Sequence, residues 1–498
     1  MELAFESSAI PYLHCAADTT AEQEETAEII IPDSWPDAAC VCSCFAEAML
    51  RGKDCREGSL LISGGIKAGI FYQPETETSP RVLDCYLPFT VKIDQPELNA
   101  QSQVLCSCTI RSVDAKTVNS RKLRLRAEIS CCVQAWNQQE DTLYTLKEHP
   151  GFLQVRTADY PLLLPVETGE KSFAVSDTPE LPDGRPTISQ ICKCICTPLM
   201  TDQKLIGNKV VFKGFLRCAM IYADDTQHLY RWEAELPFSQ YCELKGDYDE
   251  ERVAVIPAVT GYDIQIDGEK RISITANLLV QCLVTAAKTI SVAEDAYATR
   301  GVLQPEWKTY AFTPTIDEVR TALPVRMQAP TQLLQLLDWD LYADQAVITR
   351  ETDGVLIKVP MRLLVTGFDT DGALRSETVQ LAGEYRTALS HDSICRAHAV
   401  PLNVTISESG GSLLIDSNTQ LQSEFYAKQP LKTLCGGEIV PSEAPNLPQL
   451  LIRTVEQNSL LWDIAKIYGS TVSSIQAAND LQGTVVPQTD LLLIPIGS

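Results

Sequence analysis

The sequence predicts a mainly β protein, made of tandem sandwich-like β-rich domains and a small C-terminal module with the order strand, helix, helix, strand. Two observations predict this architecture. Short motifs return after about 150 residues, and they lie among apolar runs that are typical of strands. In residues 450–498 the apolar residues are spaced as on helices instead. The first observation indicates a repeated β domain, and the second indicates a separate unit at the end.

Four pairs of matching motifs define the repeat, and they occur in the same order in both copies. The pairs are Pro32 with Pro182, Pro36 with Pro186, IFY at 70–72 with MIY at 220–222, and LPF at 87–89 with LPF at 236–238. The first three pairs are 150 positions apart, and the fourth is 149 positions apart. Such agreement indicates a duplication. A third, more diverged copy is predicted from hairpin order alone at 315–440.

Strand-type runs separated by turns fill each copy. In the first copy they are predicted at 59–72, 82–93, 103–113 and 122–136, in the second at 209–222, 229–236, 252–266 and 271–283, and in the third at 354–368, 376–381, 400–406 and 413–425. Asp267-Gly268 is a strong hairpin signal between the last two runs of the second copy.

The domain division follows from these runs and from the prolines between them. We expect an acidic N-terminal segment at 1–30, a first β-rich repeat at 31–137, a linker at 138–180, a second repeat at 181–293, a linker at 294–314, a third repeat at 315–440, a Pro-rich tether at 441–449 and the C-terminal module at 450–498. The acidic run at 22–28 is most simply a solvated helix or tail.

The C-terminal module begins with an apolar run at 450–455. Asn458 and Ser459 are predicted to cap a helix whose apolar face contains Leu461, Ile464, Ala465 and Tyr468, and Gly469 ends it. Ser470 or Thr471 is predicted to cap a second helix, which carries Val472, Ile475 and Ala478. A strand at 491–494 closes the module.

These positions resemble the LysM family. The matching motifs are TV at 454–455, LWDIAKIYG at 461–469, Ile475, ANDL at 478–481, Pro487 and LIP at 493–495. The resemblance implies a frame of Trp462, Ile464, Tyr468 and Ile475. It also implies partner-facing residues in two loops, and these are Asn458, Ser459, Leu460, Asn479 and Gln488.

LysM modules usually bind N-acetylglucosamine polymers in a groove, which here would lie between 456–461 and 479–488. The chain has Asn458-Ser459-Leu460 where the family commonly has Gly-Asp-Thr, and Gln488 where glycine is usual. The fold is therefore better supported than sugar binding. Because the helical pattern points Trp462 inward, a core position is expected for it.

Charge and composition restrict the partners. The formal net charge of −24 disfavours nucleic acid and anionic membranes. No secretory signal is recognisable at the N-terminus, and no window reaches the roughly 18 apolar residues of a spanning helix. We therefore expect a cytoplasmic protein without membrane insertion, in which a disulfide framework among the 18 cysteines is improbable.

The cysteines alternate in two runs, CVCSC at 40–44 and CKCIC at 192–196. A thiolate metal clip is conceivable, completed by Cys106 and Cys108 or by Cys131 and Cys132. A buried face of small apolar residues is the favoured reading, because C-x-C-x-C lacks the spacing of zinc knuckles and the third copy has LLQLL at 333–337. No metal or cofactor is predicted.

An enzymatic function is not predicted. The chain has five histidines, and none lies in an H-E-x-x-H frame. Neither a G-x-S-x-G elbow nor a phosphate-binding glycine loop occurs.

The repeated domains with one C-terminal LysM resemble the SPOCS-domain proteins of endospore-forming bacteria. The motifs are VVFKGFLRCAMIY with YRWEAELPF, within 210–238, and ISGGIKAGIFY with VLDCYLPF, within 62–89. The resemblance implies a non-catalytic assembly adaptor on the mother-cell side of the forespore surface, whose LysM docks a spore-coat ATPase and whose β domains self-associate. Two alternatives stay open: a structural subunit of a phage-like or contractile assembly, and a peptidoglycan-binding wall protein.

Overall fold

The structure is a computed structural model that describes residues 1–147, 149–248, 251–312, 314–388, 393–427, 430–441, 449–486 and 490–496. Within these ranges it contains 22 strands and two helices, and both helices lie in the C-terminal module. The predicted fold class, mainly β with sandwich-like repeats and a βααβ module, is confirmed.

The first repeat is a sandwich of two three-stranded antiparallel sheets. Its strands are β1 (Phe5–Ile30), β2 (Ala38–Arg56), β3 (Ser59–Pro74), β4 (Arg81–Asp94), β5 (Gln103–Asn119) and β6 (Lys122–Leu146). One sheet has the order β1-β6-β5 and the other β2-β3-β4. From Leu123 to Ala135, every second residue of β6 is fully buried against the facing sheet. This alternation is what a half-buried strand requires.

The second repeat has the same plan. Its strands are β7 (Leu153–Asp177), β8 (Gln190–Ala223), β9 (Leu229–Tyr248), β10 (Arg252–Ile266) and β11 (Ile272–Ala298). The sheets have the orders β10-β11-β7 and β8-β9. Strand β8 corresponds to β2 and β3 together, because it folds back at Gly207, whose φ is 57°. The hydroxyl of Thr201 then donates to the carbonyl of Lys213 across the hairpin at 3.2 Å.

The third repeat is bracketed by a short pair of outer strands, one before it in the chain and one after it. Its strands are β12 (Val302–Thr309), β13 (Thr315–Pro330), β14 (Leu333–Ala343), β15 (Val347–Glu351), β16 (Gly354–Asp369), β17 (Leu374–Thr387), β18 (Ser393–Ser409), β19 (Ser412–Ala427) and β20 (Lys432–Val440). One sheet has the order β13-β19-β18, and in the other β16 pairs with β14, β15 and β17. Strands β12 and β20 pair with each other.

Three segments that we expected to lie outside the repeats contain strands instead. The N-terminal segment 1–30 forms β1, the linker 138–180 contains β7, and the linker 294–314 contains β12. Strand β7 pairs with β11 over its whole length, from Leu153 to Asp177. Each repeat is therefore preceded by a strand that the sequence-based division assigned to the N-terminal segment or to a linker.

The acidic run at 22–28 shows why the first of these strands was missed. Ala21 and Ala27 pack against the core of the first repeat, whereas Glu24 and Glu28 point outward. The outward carboxylates form ion pairs with basic residues of β6, such as Arg126 with Glu24 at 2.8 Å. The inward positions include Gln23 and Glu25 as well as the two alanines, so few apolar residues mark the period of two. The expected solvated helix or tail is therefore wrong, and the run is part of a strand.

The three repeats meet in one apolar cluster, which contains residues from corresponding strands. Cys42 and Cys192 are 150 positions apart and lie there with Leu337, and Phe71 and Ile221, also 150 apart, lie there with Phe368 as a partly buried neighbour. Corresponding strands of the three sandwiches thus meet at one place.

A buried ionic cluster joins the second and third repeats beside this apolar cluster. Lys193 forms ion pairs with Asp338 and Asp340, and the side chains of Lys193 and Asp338 are each 4% exposed. Arg231 donates to Asp338 at 2.9 Å, and its guanidinium lies 3.9 Å from the ring centre of Trp339. Burial favours the neutral form of Lys193, but the two carboxylates outweigh it and raise the pKa of Lys193.

Three two-stranded ribbons extend from the sandwiches and pack together, and we call them the stalk. They are formed by 5–15 with 136–146, 153–165 with 285–298, and 302–309 with 432–440. Two apolar clusters hold the ribbons together. In one, Ile10 from the first ribbon packs with Leu164 and Ile290 from the second. In the other, Leu153 from the second ribbon packs with Leu434 from the third.

The C-terminal module has the predicted order. It consists of β21 (Leu450–Val455), α1 (Leu461–Tyr468), α2 (Val472–Asn479) and β22 (Asp490–Pro495). Strands β21 and β22 are antiparallel, with Leu450 opposite Pro495. Residues 442–448 of the expected tether lie outside the described residues.

Candidate functional site

The core of the C-terminal module is formed by the helix faces that the sequence indicated. Leu461, Ala465 and Ile475 are fully buried, and Ile464 is 7% exposed. Tyr468 packs on this core and is half-buried. Ile464 and Ile475 thus lie inside the module, and Tyr468 lies at the edge of its core.

The ends of the helices match the sequence-based expectation except at the first cap. Gly469 ends α1 with a φ of 63°, and the Oγ1 of Thr471 caps α2 by accepting from the backbone N–H of Ser474 at 3.1 Å. The cap of α1 is Leu460, without a side-chain hydrogen bond, so the expected capping by Asn458 and Ser459 is wrong. Asn458 has a φ of 65°, which turns the chain before it can cap.

The two loops of the module are joined by backbone hydrogen bonds. The N–H of Asn458 donates to Val486 O at 2.8 Å, the N–H of Val486 donates to Ser459 O at 2.9 Å, and the N–H of Leu461 donates to Thr484 O at 2.9 Å. Leu460 and Val485 form a β-bridge between them. The two loops are thus joined into one connected surface.

Asn479 has a different role from the partner-facing one that we expected. Its side-chain N–H groups donate to Ile475 O and Leu493 O, each at 2.7 Å, and its Oδ1 accepts from the N–H of Leu493 at 2.8 Å. Because these bonds satisfy the amide internally, Asn479 attaches α2 to β22. Gln488, the other partner-facing residue predicted after α2, lies outside the described residues.

The joined loops expose the apolar side chains of Leu460 and Val485, and α1 exposes Ile467; we call these three residues the apolar patch. The exposed fractions of Leu460, Ile467 and Val485 are 42%, 73% and 40%. Ile467 follows Leu460 by seven positions, so the two side chains lie about two turns apart on the same side of α1. Asp463, between them, is also exposed. Sequence analysis identified Leu460 but missed Ile467 and Val485.

A different side of α1 contacts the stalk, and this contact was also missed. Trp462 Nε1 donates to Asp295 Oδ2 at 2.8 Å, and Lys466 Nζ donates to Asp295 Oδ1 at 2.6 Å. The Trp462 ring meets Tyr297 edge to face with 5.0 Å between ring centres. The Tyr297 hydroxyl donates to Ser470 O at 2.9 Å. We call this contact the dock; it makes Trp462 an interface residue as well as part of the module's frame.

Asp295 is the electrostatic centre of the dock. Partial burial raises the pKa of its carboxyl, but the hydrogen bonds from Lys466 and Trp462 outweigh burial and hold the pKa below its ordinary value. The guanidinium of Arg156, from the same ribbon, lies 5.6 Å from the ring centre of Trp462. The dock therefore favours the ionised form of the Asp295 carboxyl, which lies next to the indole of Trp462.

The cysteine runs lie mainly in packed interiors. Cys44 belongs to the core of the first repeat, Cys194 and Cys196 belong to the core of the second, and Cys42 and Cys192 lie where the repeats meet. Cys40 is exposed. Among the described residues, no group of three or more His, Cys, Asp or Glu side chains has an arrangement that could hold a metal ion.

Neither of the two helices in the described part of the chain has the length and apolar character needed to cross a bilayer.

Comparison with known protein families gives two matches. A family model described as SipL, SPOCS domain, matches residues 187–267, and a model described as LysM domain matches residues 454–491. No curated protein and no solved structure matches the chain. The chain thus contains a SPOCS domain within its second repeat and a C-terminal LysM domain, as the resemblance predicted.

Proposed function

We propose that this protein is a non-catalytic assembly adaptor in spore coat or envelope morphogenesis, and that its LysM domain docks a coat-shell ATPase. The observation that carries the proposal is the presence of a SPOCS domain and a LysM domain in one chain, with the apolar patch of the LysM on a different side of α1 from the dock. In this proposal the three repeats carry the LysM domain, and self-association of the β domains arranges many copies of the protein in a layer.

The surface chemistry of the loops favours a protein partner over a glycan. Sugars are held through their hydroxyl groups, which need free donors and acceptors. Here the backbone groups of Asn458, Ser459 and Leu461 bond to the opposite loop. The side chains of the apolar patch add little hydrogen bonding, whereas an exposed apolar patch is the usual signature of a protein contact.

The dock supports the role of adaptor. A module on a free tether would sample many orientations, and ordering it on binding would reduce affinity. Because Trp462 and Lys466 attach α1 to Asp295 of the stalk, the apolar patch is presented in one orientation relative to the repeats. A preoriented patch suits a protein that arranges partners in a layer.

The proposed setting is the mother-cell cytoplasm at the forespore surface. A net charge of −24 fits a partner other than nucleic acid or an anionic membrane. The proposal needs no cofactor and no catalytic residue.

The test measures binding of the full-length protein to the purified coat ATPase, beside sedimentation with purified peptidoglycan. The wild-type protein is expected to bind the ATPase without sedimenting. Leu460→Asp and Ile467→Asp should each weaken binding at least tenfold, which corresponds to about 1.4 kcal/mol, because each places a carboxylate in an apolar contact. Ile452→Asp is the matched control, since Ile452 is 57% exposed but lies on β21.

Two results would contradict the proposal. If Leu460→Asp and Ile467→Asp fold and bind the ATPase as the wild type does, the apolar patch is not the contact. If the wild type sediments with peptidoglycan and captures no ATPase, the LysM domain is a glycan-binding module.

A further inference from the structure

Three thiols gather on the inner face of the sheet formed by β1, β6 and β5. Cys108 Sγ lies 3.1 Å from Cys131 Sγ and 3.8 Å from Cys106 Sγ. Cys106 and Cys131 are 1% and 0% exposed, whereas Cys108 is partly exposed. All three are free thiols.

The strand register makes Cys108 and Cys131 the natural pair among these thiols. They are directly opposite each other in the antiparallel ladder between β5 and β6. Residues directly opposite in such a ladder have Cα atoms about 4.5 or 5.5 Å apart, and both values lie in the range of about 4.4–6.8 Å that a disulfide spans. Cys106 and Cys108 are two positions apart on one strand, where the Cα separation is about 6.5–7 Å, at or beyond the upper limit.

We propose that Cys108 and Cys131 form a cross-strand disulfide when a peroxide reaches the folded protein. Hydrogen peroxide oxidises the Cys108 thiol to a sulfenic acid and releases one water. The Cys131 sulfur then attacks the Cys108 sulfur, the hydroxyl leaves, and the proton of Cys131 leaves with it as a second water. Two thiols and one peroxide thus give one disulfide and two waters.

Partial exposure makes Cys108 the sulfur that reacts first. The close thiols also restrain the reaction, because hydrogen bonding with Cys106 and Cys131 raises the pKa of Cys108 and keeps it in the less reactive thiol form. The pair therefore stays reduced in a reducing cytosol and forms the bond only under sustained oxidation. The resulting link joins β5 to β6 across a hairpin that contributes both strands to the first repeat.

A second close pair in the same chain provides an internal control. Cys196 Sγ lies 3.5 Å from Cys218 Sγ, in the core of the second repeat. Cys196 is 2% exposed and Cys218 is fully buried. Both sulfurs are as close as a reactive pair would need, but a peroxide has no exposed sulfur to attack there.

The experiment treats the full-length, folded protein with hydrogen peroxide, removes the peroxide, alkylates the remaining thiols in denaturant and maps linked peptides by mass spectrometry. One intramolecular link should form, between Cys108 and Cys131, and a thiol reductant should restore both thiols; the exposed Cys40 is outside this pair and is followed separately by its own peptide. Cys196 and Cys218 should stay alkylatable. The oxidised protein should also show slower amide exchange across β5 and β6.

Single cysteine-to-serine variants show which two sulfurs form the link. Cys106→Ser and Cys132→Ser should keep the link, whereas Cys108→Ser and Cys131→Ser should abolish it. The proposal is overturned if the thiol count of the wild-type protein does not change, if the link joins Cys106 to Cys108, or if Cys196 and Cys218 are lost at the same rate. Because these three outcomes are read on the wild type, a poorly folded variant does not affect them.

Discussion

The indole N–H of Trp462 donates a hydrogen bond of 2.8 Å to the carboxylate of Asp295, which lies 167 positions earlier in the chain. This bond connects the LysM domain to the stalk, and it gives a conspicuous residue of the LysM pattern a second role. Core packing and interdomain contact are combined in one side chain, so the two roles can be separated by changing only its polar atom.

The first prediction therefore concerns Trp462→Phe. Phenylalanine keeps an aromatic ring against Tyr297 but removes the donor, and a hydrogen bond to a charged group contributes about 1.5–3 kcal/mol. We expect the dock to loosen while the core of the LysM domain stays folded. Hydrogen exchange measured by mass spectrometry should rise in 290–298 and 461–470. Lys466→Met should have a smaller effect, because its side chain is 44% exposed. Unchanged exchange in Trp462→Phe would contradict the prediction.

The second prediction concerns the buried ion cluster between the second and third repeats. Lys193→Met leaves Asp338 and Asp340 buried with less positive charge, and breaking a buried pair in this way costs about 3–5 kcal/mol. We expect the urea midpoint of the full-length protein to fall accordingly. Lys213→Met, on the same strand but exposed, is the control and should change stability by less than about 0.5 kcal/mol. Equal midpoints for the two variants would show that the cluster adds nothing.

The third prediction is a pH dependence that originates at Glu47. This side chain is buried between the first two repeats, and its Oε1 accepts from the N–H of Cys196 at 3.1 Å. Burial raises the pKa of Glu47 from 4.5 to about 8. Between these two values the folded protein holds a proton that the unfolded chain releases. Stability from this group is therefore greatest below pH 4.5 and is lost as the pH rises towards 8.

Glu47→Gln isolates this effect. Glutamine stays neutral and keeps an oxygen for the N–H of Cys196, so the variant should be more stable than the wild type at pH 9 by about 2–4 kcal/mol, and the advantage should disappear near pH 5. Urea unfolding at the two pH values measures it. Glu75→Gln, an exposed substitution in the same repeat, should show no such change. A constant difference between Glu47→Gln and wild type would refute the assignment.

The fourth prediction concerns the true start of the second repeat. Phe173, on β7, packs against Phe212 and Phe238 with ring centres 6.0 Å and 5.5 Å apart. A fragment of 149–300 includes β7, whereas a fragment of 181–293 lacks it and exposes one edge of β11. We expect a cooperative urea transition for the longer fragment only. Phe173→Ala in the full-length protein should lower stability by about 2–4 kcal/mol. A cooperative transition of the shorter fragment would show that the second repeat folds without β7, and that 138–180 acts as a linker.

The sequence alone was sufficient for the features that depend on local chemistry. Gly268 turns the hairpin between β10 and β11 with a φ of 96°, as the Asp-Gly pair predicted. Gly469 and Thr471 end and begin the two helices of the LysM domain as expected. Such signals depend on the conformational freedom of one residue or on a hydrogen bond within one turn, so they can be read without knowing the fold.

Only the tertiary structure decided which strands belong together and which surfaces are free. The segment containing Phe173 reads as a linker until its pairing with β11 is known. From the sequence, Asn479 was expected to face a partner and Trp462 to lie in the core. In the structure the side chain of Asn479 bonds to Leu493, and that of Trp462 bonds to Asp295. In each case the contact partner of the residue comes from another strand or another domain, so the contact depends on how the chain folds and not on the local sequence. The sequence by itself determined repeats, turns and domain types, whereas the assembly of those parts required the long-range packing that the fold supplies.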